Sequence, residues 1–179
     1  MTLQWISIIL GLLAFSGGLI GILSPGYIKR FAELFPRSVV PAWILTALCC
    51  WLGAKEAMAM NMGFLDAYKQ YIYILAPLVF IASVVYMKEL LAPRALGGFL
   101  LLVAVPILME ARWHESAWRV VVVALVYLWI IYGLVLLLSP WWFRKTYEPF
   151  LRNAALFKAT AYGKAAVGLV LLLLGIFVY

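Results

Sequence analysis

The chain has 179 residues, of which 68% are hydrophobic and 12% charged, whereas soluble domains are about 45–50% apolar and about 25% charged. A soluble domain of this length leaves roughly a third of its surface in water, which excludes so apolar a composition from that class. The net charge of +7 arises from basic residues that flank apolar runs. This arrangement predicts anionic lipid as a partner and no nucleic acid.

Six apolar segments are long enough to be transmembrane helices, which need about 20 residues. They cover residues 3–23, 40–60, 71–87, 95–109, 118–138 and 160–179. Their apolar residues are continuous and do not alternate, which favours an all-α polytopic membrane protein over an outer-membrane barrel. The fourth segment is the shortest and contains Pro106. We expect it to span the bilayer, with a re-entrant hairpin as the alternative.

One motif occurs twice, at an offset of 115 residues. The run from Gly18 to Pro25 reads GLIGILSP, and the run from Gly133 to Pro140 reads GLVLLLSP. Five of the fifteen positions in 24–38 are identical in the second copy. Four crossings separate the first and fifth helices, so the two copies are predicted to be parallel repeats. The predicted units are a first repeat (1–60), a central hairpin (61–117) and a second repeat (118–179).

A basic amphipathic stretch follows each Ser-Pro pair. Each stretch is predicted to form an interfacial helix, with Pro25 or Pro140 in the first helical position and Ser24 or Ser139 as the N-cap. Aromatic side chains lie on one face and basic side chains on the other, which is typical of helices in the headgroup plane. The residues expected to contact lipid headgroups are Lys29, Arg30, Arg37, Arg144, Lys145 and Arg152.

The distribution of basic residues predicts the orientation. Ten of the fourteen lie in or beside the three connections that follow the first, third and fifth helices, and these ten include Lys88 and Arg94. Since basic connections stay in the cytoplasm, both termini are predicted to face outward. The predicted location is the cytoplasmic membrane of a bacterium.

The opposite side carries a candidate polar cluster. It consists of Lys55, Glu56, Asp66, Glu110, Arg112, His114 and Glu115. Ionisable groups at membrane depth are candidates for function, and carboxylates beside one histidine would suit proton transfer. The alternative is structural, because Lys55 is close enough to the interface to reach the headgroups.

The sequence contains no recognisable catalytic, cofactor or metal motif. A phosphate-binding glycine loop, a nucleophile elbow, CxxC and HExxH are all lacking. The single histidine cannot supply two imidazole ligands to a haem. The adjacent Cys49 and Cys50 are predicted to be buried thiols without a disulfide. We therefore assign no catalytic residue, no cofactor and no metal.

The second copy, from Gly133 to Gly175, resembles small two-helix bacterial inner-membrane proteins of unknown function. The shared features are a helix, Ser-Pro, a basic amphipathic stretch and a glycine-containing helix. The first copy resembles them less closely, and both copies together cover about half of the chain. The resemblance implies an integral membrane protein and brings no catalytic residues.

These features predict a structural or accessory membrane subunit, or a scaffold that interacts with lipid. Its apolar helix faces are the main surface for another membrane subunit or for self-association. The alternative is a small transporter or channel that uses the candidate polar cluster. A membrane-embedded enzyme that uses the same cluster is the third interpretation.

Overall fold

The computed structural model describes residues 2–61, 63–86 and 90–179, except for the side chains of residues 64, 65 and 151. This part of the chain forms eight α-helices and no β-strand. The helices are α1 (Leu3–Leu23), α2 (Pro25–Leu34), α3 (Val39–Ala59), α4 (Ile72–Tyr86), α5 (Leu91–Arg112), α6 (Arg119–Leu138), α7 (Trp142–Arg152) and α8 (Ala154–Phe177). Short 3-10 helices cover Phe35–Arg37 and Gly63–Tyr71.

Six of these helical segments are long and apolar enough to cross a membrane, as predicted for a polytopic all-α protein. The six are α1, α3, α5, α6, α8 and the segment Asp66–Tyr86, which contains α4. In both terminal thirds of the chain, a short helix (α2 or α7) stands between two long ones. Lys88, one of the basic residues whose distribution predicts the orientation, lies outside the described residues.

The predicted bounds of two helices were wrong. The fourth predicted segment is a continuous helix of 22 residues, α5, although Pro106 lies inside it. At about 1.5 Å per residue, α5 is long enough to span the hydrocarbon core. The last helix begins at Ala154, six residues before its predicted start. Hydropathy missed these ends because polar residues such as Arg94 and Lys158 continue both helices beyond their apolar centres.

The predicted helix starts were correct only in part. Pro25 is the first residue of α2, but the Ser24 side chain makes no capping hydrogen bond. Helix α7 begins two residues after Pro140, at Trp142. The cap that is made belongs to α8, where Asn153 Oδ1 accepts hydrogen bonds from the backbone N–H groups of Ala155 and Leu156. Such an N-cap contributes about 1 kcal/mol.

Helices α1 and α8 form the most extensive helix–helix contact in the described part of the chain. Glycines make this close approach possible. A Cβ added to Gly168 would lie 2.3 Å from the backbone nitrogen of Phe15, and one added to Gly18 would lie 2.6 Å from that of Ala165. Small residues are the usual means by which membrane helices pack, since lipid provides no hydrophobic driving force between helices.

Helices α5 and α6 pack through a second glycine pair. A Cβ on Gly97 would lie 2.6 Å from the carbonyl oxygen of Gly133. Helix α3 packs on α5, and α4 packs on α3. No residue of α4 is buried, which leaves this helix at the edge of the bundle.

Two apolar clusters define the two ends of the bundle. One cluster contains Leu3, Ala111 and Val122, and Tyr179 packs against it. The end of the bundle that holds both termini and the α5–α6 connection is called the terminal end below. The second cluster contains Phe35 and Phe143, which belong to the segments around α2 and α7. That opposite end is called the amphipathic end.

Candidate functional site

A row of aromatic rings joins α2 to α7 at the amphipathic end. The ring centroids of Phe35 and Phe143 are 5.4 Å apart, and those of Phe143 and Tyr147 are 4.7 Å apart. Phe35 and Phe143 are buried, whereas Phe31, which contacts Phe35, is 55% exposed. Phe35 lies directly after α2, and α2 itself also contacts α7. The two amphipathic helices still leave apolar surface uncovered beside their basic residues.

The six predicted headgroup residues all lie at the amphipathic end, in different surroundings. Lys29 lies 5.5 Å from the centroid of the Phe157 ring. Lys145 Nζ lies over the rings of Trp141 and Trp142, at 4.5 Å from the centroid of the Trp142 ring. Arg152 forms an ion pair of 2.5 Å with Glu148, one turn earlier in α7. The other three, Arg30, Arg37 and Arg144, are exposed.

Arg37 and Arg144 line one polar pocket of about 370 Å³ between the two halves of the chain. Glu33 and Glu148 also line it, so the four charged side chains are two guanidinium groups and two carboxylates. The Tyr147 side chain also lines the pocket, and burial raises the pKa of its phenol above the usual range. Tyr147 thus remains a neutral hydrogen-bonding group at physiological pH.

An apolar cavity of about 300 Å³ adjoins the polar pocket. The two share Pro36 and Arg37 in their linings. The remaining lining residues of the apolar cavity come from α3, α4 and α5 and from the residue that precedes α3: Ser38, Val39, Ala42, Trp43, Val84, Val85, Leu91 and Ala92. A charged pocket and an apolar cavity therefore meet at one residue pair.

At the terminal end, Arg119 organises the α5–α6 connection. Its Nη1 donates to the carbonyl oxygens of Arg112 at 3.0 Å and His114 at 2.6 Å. Hydrogen bonds from this guanidinium satisfy carbonyls that follow the last turn of α5, as basic residues commonly do at helix C-termini. His114 Nδ1 accepts a hydrogen bond from the backbone N–H of Ser116. The imidazole also packs edge-on against the Tyr179 ring.

The other members of the candidate polar cluster are distributed along the bundle. Lys55 is exposed and lines an open apolar groove between α3 and α4, and Glu56 is half-buried. Asp66 forms an ion pair of 2.8 Å with Lys69. Glu110 and Glu115 are exposed, and the guanidinium of Arg112 lies over the ring of Trp113. Arg119 links Arg112 and His114 by donating hydrogen bonds to both of their carbonyl oxygens. Lys55 instead lines the groove between α3 and α4.

Three polar residues that line the pocket were not predicted as site residues: Glu33, Tyr147 and Glu148. The sequence contained a signal for two of them, because Glu33 and Glu148 are equivalent positions of the 115-residue repeat. Among the described residues, no group of three or more His, Cys, Asp or Glu side chains is placed to hold a metal ion.

Comparison with known proteins returns no match to a family model, a curated protein or a solved structure. The resemblance to small two-helix membrane proteins therefore stays a prediction.

Proposed function

We propose that this protein is a non-catalytic membrane scaffold or accessory subunit that interacts with anionic lipid. Its amphipathic end faces the cytoplasm of a bacterium, and both termini face outward. The observation that carries the proposal is the contact between α2 and α7, which gathers exposed basic side chains beside uncovered aromatic rings. Basic charge next to apolar surface suits a membrane interface rich in anionic lipid.

The distribution of apolar surface supports the accessory role. Helix α4 buries none of its residues within the chain, and Tyr73, Ile74 and Leu78 are each more than half exposed. The groove between α3 and α4 is lined mostly by apolar side chains. This side of the bundle is the proposed contact with another membrane subunit or with a second copy of the chain.

The terminal end supports a structural role more than a chemical one. Within the α5–α6 connection, Arg119 donates a hydrogen bond to the carbonyl oxygen of His114, and the His114 imidazole accepts one from the backbone N–H of Ser116. Tyr179 Oη donates to the carbonyl oxygen of Trp118 at 2.7 Å, which ties the end of the chain to the same connection. These groups stabilise the bundle where the alternative would place a transport or catalytic site.

The test is purification from native membranes in mild detergent, followed by native mass spectrometry. We expect a stoichiometric partner subunit or a homo-oligomer, together with retained anionic lipid. An uncharged variant on the exposed face of α4, Leu78→Trp, should release the partner and leave the chain folded. A monodisperse single chain that retains no anionic lipid would contradict the proposal.

A further inference from the structure

The polar pocket has a charge pattern unlike that of its surroundings. Most of the amphipathic end is basic, yet the pocket combines Arg37 and Arg144 with Glu33 and Glu148. Among the described residues that line the pocket, the four formal charges sum to zero, and Arg152 pairs with Glu148 from outside this lining. Arginine binds phosphate oxygens with paired, directional hydrogen bonds, and a carboxylate accepts hydrogen bonds from an ammonium group. A ligand that satisfies both kinds of group carries a phosphate and an ammonium.

The adjoining apolar cavity specifies what else the ligand carries. Arg37 and Pro36 line both spaces, which are therefore adjacent at these two residues. Val39 and Trp43 of α3 face this cavity with Val84 and Val85 of α4. An acyl chain is the group that fits an apolar cavity between membrane helices. The polar pocket, at about 370 Å³, is at the small end of the range for ligand sites, which is about 300–1,000 Å³.

We propose that the polar pocket and the apolar cavity together bind one phospholipid with a phosphoethanolamine headgroup. Arg37 and Arg144 hold the phosphate, and an acyl chain lies between α3 and α4. Glu33 holds the ammonium together with Oε2 of Glu148, because Oε1 of Glu148 is paired with Arg152. The proposal rests on the proposed function, which places the amphipathic end at headgroup level. It adds a single-site, zwitterionic lipid to the diffuse anionic lipid that exposed basic residues attract.

The repeat explains how such a pocket arises. Glu33 and Glu148 are equivalent positions at the 115-residue offset. Since α2 and α7 meet through Phe35 and Phe143, these equivalent carboxylates line one shared pocket. Each half of the chain supplies one arginine and one glutamate to the pocket. Lipid binding at this pocket therefore joins the two halves at the amphipathic end.

The experiment reconstitutes the full chain in nanodiscs with equal amounts of phosphatidylethanolamine, phosphatidylglycerol and phosphatidylcholine. The protein is then extracted in mild detergent, and lipid retained per chain is measured by native mass spectrometry. Wild type should retain one phosphatidylethanolamine per chain. The double variant Arg37→Gln, Arg144→Gln should retain at least tenfold less phosphatidylethanolamine per chain. The double variant Glu33→Gln, Glu148→Gln should still retain lipid without preferring phosphatidylethanolamine.

The matched control removes two exposed basic residues outside the pocket, with Arg112→Gln and Lys158→Gln. It should retain phosphatidylethanolamine as wild type does, and thermal unfolding should show that every variant is folded. Equal retention of the three lipids by wild type, a preference for phosphatidylglycerol, or unchanged retention in the arginine variant would overturn the proposal. If phosphatidylethanolamine is not retained but vesicles rich in phosphatidylglycerol still bind through Arg30 and Lys145, the pocket fails and the proposed function stands.

Discussion

At the scale of single residues, the side chains at the terminal end act on the backbone. The sequence singled out Arg112 and His114 as members of a polar cluster, but not Arg119, which donates to the carbonyls of both. This role could not be predicted, because it depends on the α5–α6 connection turning back over the end of α5. The pattern of hydrophobicity and charge along the chain does not predict that turn.

We expect Arg119→Gln to destabilise the protein by about 1–3 kcal/mol, because the substitution leaves carbonyl groups of the connection without their charged donor. The free energy of unfolding can be measured by titration with SDS in mixed micelles. The control is Arg112→Gln, since Arg112 is exposed and its guanidinium lies over the ring of Trp113. Its effect should be within about 1 kcal/mol. Equal destabilisation by both substitutions would rule out the special role of Arg119.

At the scale of helices, the residue ranges of the membrane spans were predictable from the sequence, but the helices that pack against one another were not. Continuous apolar runs located α1, α3 and α6 to within one residue at each end. The sequence contains glycines such as Gly11 and Gly18, which permit close packing in the structure. It did not identify α8 as the partner of α1, because all faces of a membrane helix are apolar and hydropathy cannot distinguish a packed face from a lipid-facing one.

The α1–α8 contact predicts different effects for two glycines of α8. Gly168→Ala should destabilise the protein by about 1–3 kcal/mol, because its Cβ would overlap the Phe15 backbone and force the helices apart. Gly163→Ala should be neutral or stabilising by up to about 1 kcal/mol, since no atom lies within 4 Å of a Cβ there. SDS unfolding of both variants measures the difference. A neutral Gly168→Ala would contradict the observed packing.

At the scale of the whole molecule, the bundle separates two kinds of surface. The terminal end holds both chain termini and a connection closed by its own hydrogen bonds, and the amphipathic end holds α2, α7 and the polar pocket. The basic residues of this pocket were predictable from their positions next to apolar runs. The pocket itself was not, because it requires contact between two segments more than a hundred residues apart.

Both proposals require that α2 and α7 lie at the same membrane surface, opposite the α5–α6 connection. The most direct measurement is labelling of single cysteines in intact cells with a membrane-impermeant maleimide. The variants are Arg30→Cys, Lys145→Cys and Glu115→Cys, each exposed, in a background with Cys49→Ala and Cys50→Ala. The background without cysteine is the control and should remain unlabelled.

The account predicts that position 115 is labelled in intact cells, and that positions 30 and 145 are labelled only after the membrane is permeabilised. Labelling of position 30 or 145 in intact cells would contradict the cytoplasmic placement of the amphipathic end.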